Sequence, residues 1–409
     1  MASQDATRPE NPRHWEDAIH ELAAFARPSA SEGERRAAEL IAGRLSALGC
    51  STSIEEEQAH GGYWWPLGLA NGLAALGAVT ARRCRGRAAR ALAGLAGAVA
   101  AAAIWDDVSG GRLWFRRALL PHRPTWNVVA ESGDPGAEHT VVLVAHHDAA
   151  HSGMVFHPAL GQIGPRLFPR LHERATQTAP IIYLVWGGSV LVTAGALAGI
   201  RRLTGAGALL AAGTVAAMAD IGLREVVPGA NDNLTAVAVL LAMAESLQAK
   251  PVKRLRVLLV STGSEESFME GMQGFGRRHF PELDREHTEV LCLECLGGPT
   301  LVVLEGEGML RMRDYPAQMR ESLAQAAAEA GVEVARGLRT VAATDGLISL
   351  RAGYPTATLA SIDETGLPLN YHWPSDRPEA LHWRTVENAI AVCEKFLRRR
   401  AARLAASPS

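Results

Sequence analysis

Residues Val141-Val142-Leu143-Val144-Ala145-His146-His147-Asp148 form an apolar run that ends on two histidines and an aspartate. A run this continuous reads as a strand buried on both faces. In an open α/β sheet the carboxyl ends of such strands carry the chemistry. A histidine two residues ahead of an aspartate suits a metal ligand, with the carboxylate orienting the ring or a neighbour. A strand end whose histidine merely satisfies its hydrogen bonds reads the same way, so the rest of the chain has to decide.

Upstream lie helical patterns over His14 to Phe25 and Ser31 to Leu48, a short strand at Thr52 to Glu56, and another at Trp126 to Ala130. Ser31-Glu-Gly-Glu34 has the form of a capping box, and Gly49 closes that helix. Downstream, Pro228-Gly-Ala-Asn-Asp232-Asn233 opens an apolar helix, Leu234 to Leu247. The strand Arg256 to Val260 ends in Ser261-Thr-Gly-Ser-Glu265-Glu266, and Glu289 to Leu293 leads into Glu294 and Gly297-Gly298. Further strands are expected at Leu301 to Leu304 and Thr356 to Ala360, with helices at Ala317 to Ala330 and Leu381 to Arg400. Strands alternating with helices in this way predict an α/β fold with a central sheet flanked by helices.

Two stretches break the pattern. Trp64 to Thr80 carries no charge and Ala88 to Trp105 only Arg90, with an arginine-rich turn between them. Ile181 to Ile200 and Leu203 to Leu223 form a second pair around Arg201-Arg202. Crossing a bilayer takes about 20 apolar residues, so the second pair qualifies and the first falls slightly short. Tyr63, Trp64, Trp65 and Trp105 at the outer ends fit membrane helices, as do the small-residue pairs Gly68/Gly72 and Gly195/Gly199. A buried Ala-rich hairpin in a soluble protein is the competing reading. The expected division is a catalytic body of residues 1–62, 106–179 and 224–409, with inserted hairpins 63–105 and 180–223 anchored in a lipid bilayer.

Arginines at the hairpin turns (Arg82, Arg83, Arg85, Arg87, Arg90, Arg201, Arg202) balance those on the opposite flanks (Arg112, Arg116, Arg117, Arg123, Arg166, Arg170, Arg174, Arg224). The positive-inside count therefore sets no orientation. The polar opening residues Met1 to Glu10 lack a signal-peptide core, which favours a cytoplasmic catalytic body. With 41 basic and 43 acidic residues, the chain has no overall footprint for nucleic acid. Five cysteines give no disulfide framework, and Cys292-Leu-Glu-Cys295 has no second pair with which to build a zinc ribbon.

His146, Asp232, Glu265, Glu266, Glu294 and His372 are each expected at or just after a strand end. Two imidazoles and several carboxylates are donors that zinc takes in catalytic sites. Two metals about 3.5–4 Å apart can activate a water and polarise a carbonyl, with a spare glutamate as general base. Taken singly, Glu265-Glu266 reads as a solvated loop, Asp232 as a turn or cap, and His372 as an ordinary histidine. Glu294 resists that treatment, because a carboxylate inside Leu-Cys-Leu-Glu-Cys-Leu is rarely buried without a partner.

In this order the motifs resemble the dizinc aminopeptidase family of the aminopeptidase S and aminopeptidase Y type, whose wider relatives include glutamate carboxypeptidases and glutaminyl cyclases. The family pattern His-x-Asp, Gly-Ala-x-Asp-Asn, Glu-Glu, an acid before Gly, and Tyr-His is similar to His146-His147-Asp148, Gly229-Ala-Asn-Asp232-Asn233, Glu265-Glu266, Glu294-Cys-Leu-Gly297 and Tyr371-His372. The resemblance implies the phosphorylase/hydrolase-like zinc peptidase fold, with a mixed central sheet, and two Zn2+. Asp232 would bridge them, His146 and Glu294 completing one site and Glu266 and His372 the other. Glu265 would be the general base and Asp148 would hold the site in register. A cis Asp232–Asn233 bond is expected as well.

Three departures stand out. Glu294 replaces the commoner aspartate, Leu234-Thr235-Ala236 replaces a small pair, and His146 and Asp232 are 232 − 146 = 86 positions apart, an excess ascribed to the second hairpin. The expected activity is removal of amino-terminal residues from peptides. A dizinc carboxypeptidase or amide hydrolase, favoured by pocket arginines, and a non-catalytic membrane receptor are the other readings.

Overall fold

A computed structural model describes residues 13–84 and 86–406; the opening residues Met1 to Glu10 and the turn residue Arg85 lie outside them. Seven strands form the main sheet: β1 (Ser51–Ala59), β2 (Arg123–Gly133), β3 (Thr140–His146), β4 (Arg256–Thr262), β5 (Thr288–Glu294), β6 (Thr300–Val303) and β7 (Thr356–Ile362). Their order is β1-β2-β4-β3-β5-β7-β6. The four inner strands β4, β3, β5 and β7 run parallel, while β1, β2 and β6 join antiparallel, so the sheet is mixed. β3 is buried at every position, as its apolar run demands.

The pleat sends alternate residues of β3 into two different cores. Val141, Leu143 and Ala145 join Val257, Leu259, Leu291 and Leu293 under the helices His14–Ala23, Glu32–Ala47, Thr235–Ala249, Ala317–Glu329 and Trp383–Ala406. Val142 and Val144 face the other way, with Leu258, Val260 and Val290, towards Met272 and Phe275 of the helix Glu270–His279. That second core continues without a break into Leu67, Ala70, Ile104, Val108, Met218 and Ile221 of the two apolar hairpins.

The hairpins are the helix pairs Trp64–Cys84 with Arg87–Val108, and Ile182–Ala198 with Arg201–Leu223. The first pair is not short, at 21 and 22 residues, while the helix Ile182–Ala198 has only 17. Among the described residues, Arg87–Val108 and Arg201–Leu223 are the helices long and apolar enough, by length and composition, to cross a membrane. All four pack on one another as a single bundle. Small residues let the backbones approach: a Cβ on Gly188 would sit 2.7 Å from Ala211 N, and one on Gly207 2.6 Å from Val192 N. Gly195 meets Thr204 in the same way, whereas Gly199 takes φ +71° in the hairpin turn, beside the Arg90 guanidinium. Gly68 and Gly72 stand at ordinary contact distance from Met218 and Val215. The outer faces are apolar, with Leu76, Leu92, Leu95, Leu184, Leu197 and Leu209 exposed.

A further segment went unanticipated. Between His151 and the second hairpin the chain forms the short helices Pro158–Gly161, Ile163–Leu167 and Pro169–His172. The excess between His146 and Asp232 is thus this segment together with the hairpin.

Candidate metal centre

Three of the candidate sites do sit at the carboxyl ends of parallel strands: His146 closes β3, Glu294 closes β5, and Glu265-Glu266 follow β4. Asp232 and His372 do not. Asp232 lies in the turn Ala230–Leu234 ahead of the helix Thr235–Ala249, and His372 in the loop well past β7. The Asp232 turn is pinned from three directions. Asp376 accepts hydrogen bonds from Asn231 N (2.7 Å) and Asp232 N (3.1 Å). Buried Arg27 donates to the carbonyls of Pro228, Gly229 and His147. Asn233 bridges to β5, accepting from Cys295 N and donating to the Leu293 carbonyl. The Asp232–Asn233 bond is cis, as expected. Thr235, in place of a small residue, donates to the Asn231 carbonyl and accepts from Leu296 N, tying the turn to the end of β5.

These elements bring the five candidate ligands to one place. His146 Nε2 is 3.2 Å from Asp232 Oδ1 and 3.6 Å from Glu294 Oε1. His372 Nε2 is 3.3 Å from Asp232 Oδ2 and 3.2 Å from Glu266 Oε2. Four-coordinate zinc with nitrogen and oxygen donors at about 2.0–2.1 Å sets neighbouring donors about 3.3–3.4 Å apart. The spacing fits, and Asp232 offers one oxygen to each group. Among the described residues, buried Asp232 Oδ2 and Glu266 Oε1 have no hydrogen-bond partner, which is costly unless a cation takes their lone pairs. The donor set therefore fits a metal. Glu265 stands beside it, Oε2 3.9 Å from His146 Nε2. Cys295 also reaches the site, Sγ 3.2 Å from Glu294 Oε1, while Cys292 turns away to Thr344.

Asp148 organises this edge. Its carboxylate accepts from Glu265 N and Glu266 N, each at 3.1 Å, and from Ser29 Oγ at 2.7 Å, and lies 3.4 Å from His146 Nδ1. Burial opposes its charge, but His146 and Ser29 hold its pKa below the usual value. Burial likewise opposes a charged His146, yet Asp148, Asp232 and Glu294 push its pKa well up. His372 is raised to about 10 against burial by Glu266 and Asp232. Glu265 is pushed well up by burial and by neighbouring Glu294, Glu266 and Asp345, against the pull of His146. Carboxylates outnumber bases here, the electrostatic signature of a cation site.

Four supporting residues escaped the sequence reading. Glu34 was read as half of a capping box; Ser31 does accept from Glu34 N, but the Glu34 carboxylate reaches instead to Ser264 N and Oγ and to Thr125 Oγ1. It thereby fixes the backbone just before Glu265. Arg27 and Asp376 hold the Asp232 turn, and Asp376, four residues after His372, was the one with a local signal. Asp345, bonded to Thr262, leaves a buried oxygen unpartnered, and burial raises its pKa to about 7.

The start and flanks of the first hairpin also reach this edge. Tyr63 stacks on Phe268, two residues from Glu266, at 5.1 Å, and its buried hydroxyl feels the Glu266 charge. Arg116, fully buried, forks onto Asp107 at 3.0 and 2.8 Å and reaches Glu270 (2.9 Å) and the Ser267 carbonyl. His60 completes the chain, Nδ1 2.7 Å from Glu270. This clamp fastens both ends of the first hairpin to the loop that follows Glu265-Glu266.

No curated protein matches the chain. Residues 213–397 match the model of peptidase family M28, a span that includes Asp232, Glu265, Glu266, Glu294 and His372 but not His146. Among solved structures, a zinc aminopeptidase from Bacillus subtilis shares 14% identity at TM-score 0.55, covering 95% of this chain and 94% of that one. A Tannerella forsythia glutaminyl cyclase shares 15% at TM-score 0.55 over 94% and 97%. An aminopeptidase from Aneurinibacillus sp. strain AM-1 shares 11% at TM-score 0.54 over 94% and 92%. Residues 213–397 thus match a peptidase family M28 domain, on a fold shared with zinc aminopeptidases and glutaminyl cyclases.

Proposed function

We propose that the protein is a membrane-anchored dizinc aminopeptidase. The observation that carries the reading is the pair of donor groups sharing Asp232, His146 with Glu294 on one oxygen and His372 with Glu266 on the other. Zinc bound there would supply Lewis-acid chemistry, acidifying a water and polarising the scissile carbonyl. Glu265, beside the donor groups, would serve as general base, taking a proton from the attacking water and passing it to the leaving amine. Asp148, through Glu265 N and Glu266 N, keeps the base and a ligand in register.

Preference for a free amino terminus is supported by the fold and by the lack of a free guanidinium among the described residues that act on the site. Zinc aminopeptidases share this fold, and the guanidinium acting on Asp232 and Glu266, that of Arg27, is bonded to backbone carbonyls and cannot grip a substrate carboxylate. Anchoring rests on the bundle, with small residues inside and leucines outside. Apolar area on that scale is not tolerated on a soluble monomer. Residues 63–105 and 180–223 are the anchor, and the remainder the catalytic body.

The test is turnover of unblocked dipeptides, amino-terminally blocked dipeptides and glutaminyl peptides by detergent-purified protein, with zinc measured alongside. Hydrolysis of unblocked peptides only is expected, with about two zinc per chain. Glu265→Gln should lower kcat by about 10²–10⁴-fold with zinc content unchanged. Equal turnover of blocked peptides, or ammonia release from glutaminyl peptides without peptide cleavage, would overturn the aminopeptidase reading. Active protein without zinc, or one staying in aqueous buffer without detergent, would overturn the metal or membrane part.

A further inference from the structure

The segment between His151 and the second hairpin has no role in the chemistry above, yet it is rich in exposed apolar side chains. Leu160, Ile163, Leu167, Phe168 and Leu171 are 48–70% exposed. Arg166, Arg170 and Arg174 are interleaved with them, exposed and without an ion pair among the described residues, against a single acid, Glu173. Apolar side chains mixed with unpaired arginines are the composition of a segment lying in a bilayer interface.

Its placement agrees. At one end Met154 N donates to Asp220 Oδ2 (2.6 Å) and Gly153 lies against Ile221, at the base of the helix Arg201–Leu223. At the other end the chain enters the helix Ile182–Ala198, also at the base of the bundle. Just before that helix, Thr176 and Thr178 pair with Arg339 of the body, so the segment leaves the base of the bundle and returns to it. Between these ends it crosses the loop that carries His372. Phe156 meets the His372 ring edge-on at 4.6 Å, and His157 meets Trp373 at 4.7 Å. Gln162 and His172 both bond Glu364.

We propose that residues 154–174 are a strap lying in the plane of an anionic bilayer surface, leucines and Phe168 among the acyl chains and the three arginines at lipid phosphates, so that the His372 side of the site opens onto the membrane interface. The proposal rests on the membrane reading of the bundle. Its consequence is that substrates arrive along the bilayer, as peptides whose amino-terminal end lies at the lipid surface.

The test is amide hydrogen exchange of the full chain in nanodiscs of zwitterionic lipid, of zwitterionic lipid mixed with phosphatidylglycerol, and in detergent micelles. Each basic residue near an anionic surface contributes favourably, so exchange over 160–174 should slow by about tenfold or more in the anionic discs. High salt should reverse this. Replacing Arg166, Arg170 and Arg174 by Gln should abolish the difference, and Leu167→Ser with Phe168→Ser should remove protection in every disc. Equal exchange of 160–174 in all three settings, with the hairpin helices protected, would overturn the strap and leave the anchor intact. Hairpin helices left unprotected, in protein that does not enter discs, would overturn the membrane reading and the strap with it. Protection of 160–174 that rises with protein concentration in lipid-free buffer would assign the surface to a second copy and overturn the proposal.

Discussion

At the scale of single residues, the site is a set of buried carboxylates kept ionised or neutral by what each one touches. Glu307 shows the other outcome. Burial pushes its pKa to about 8, although Tyr315 Oη and Thr344 N both donate to it. Its folded pKa is raised, so the folded chain retains a proton that the unfolded chain has lost. The stabilisation is present below the unfolded value of about 4.5 and is lost as pH rises through about 8. Glu307→Gln should flatten the fall in melting temperature between those limits, a difference of at most about 4–5 kcal/mol. An unchanged pH profile in the variant would refute this. The proposed ligands were legible in the sequence because metal chemistry demands particular residue types beside strand ends and turns. Glu34, Arg27 and Asp345 were not, because their partners lie far away in sequence. Glu34 even carried a plausible local explanation that its carboxylate does not follow.

Among elements, the parallel strands were legible because a strand buried on both faces needs an unbroken apolar run. The helix Glu270–His279 was missed, since Gly271, Gly274 and Gly276 hide its periodicity. Gly271 is required there: a Cβ would fall on the Gly263 carbonyl oxygen. Proline and glycine interrupt residues 154–172 in the same way. The clamp joining Asp107, Arg116, Glu270 and His60 could not be read from the sequence, because it links ends of elements that no local pattern connects. Removing one partner of a buried ion pair costs about 3–5 kcal/mol, because the charge left behind stays unpaired. Arg116 raises its own charge preference against burial through Asp107 and Glu270, and Glu270 is held at about 2. Arg116→Met should therefore lower the melting temperature markedly. It should also reduce kcat more than it raises KM, because Ser267 and Glu270 follow directly on Glu265-Glu266. Full kcat in a destabilised variant would mean that the clamp serves stability alone.

For the whole molecule, the two hairpins were legible as apolar stretches, but their union in one bundle and its continuity with the core under β3 were not. Length and hydropathy describe each helix alone and say nothing of its neighbours. Stripping metal should be felt globally. Ligand binding to the folded state stabilises by about 4 kcal/mol at a thousandfold excess over Kd. A chelator should thus lower the melting temperature by several degrees, zinc should restore it, and Asp232→Asn should respond to neither. A wild-type melting curve indifferent to chelator would contradict the metal centre. The strand order also dictates a schedule for synthesis. β3 pairs only with β4 and β5, and both follow the second hairpin in the chain. Until residue 223 has been made, the one ladder of the main sheet that can form is β1 with β2. Chains fold from the amino terminus as they emerge, and distant pairings wait for their partners. On the proposed anchoring, the hairpins would therefore reach the bilayer before the strand bearing His146 gains either of its partners, on a chain already tethered where it will work.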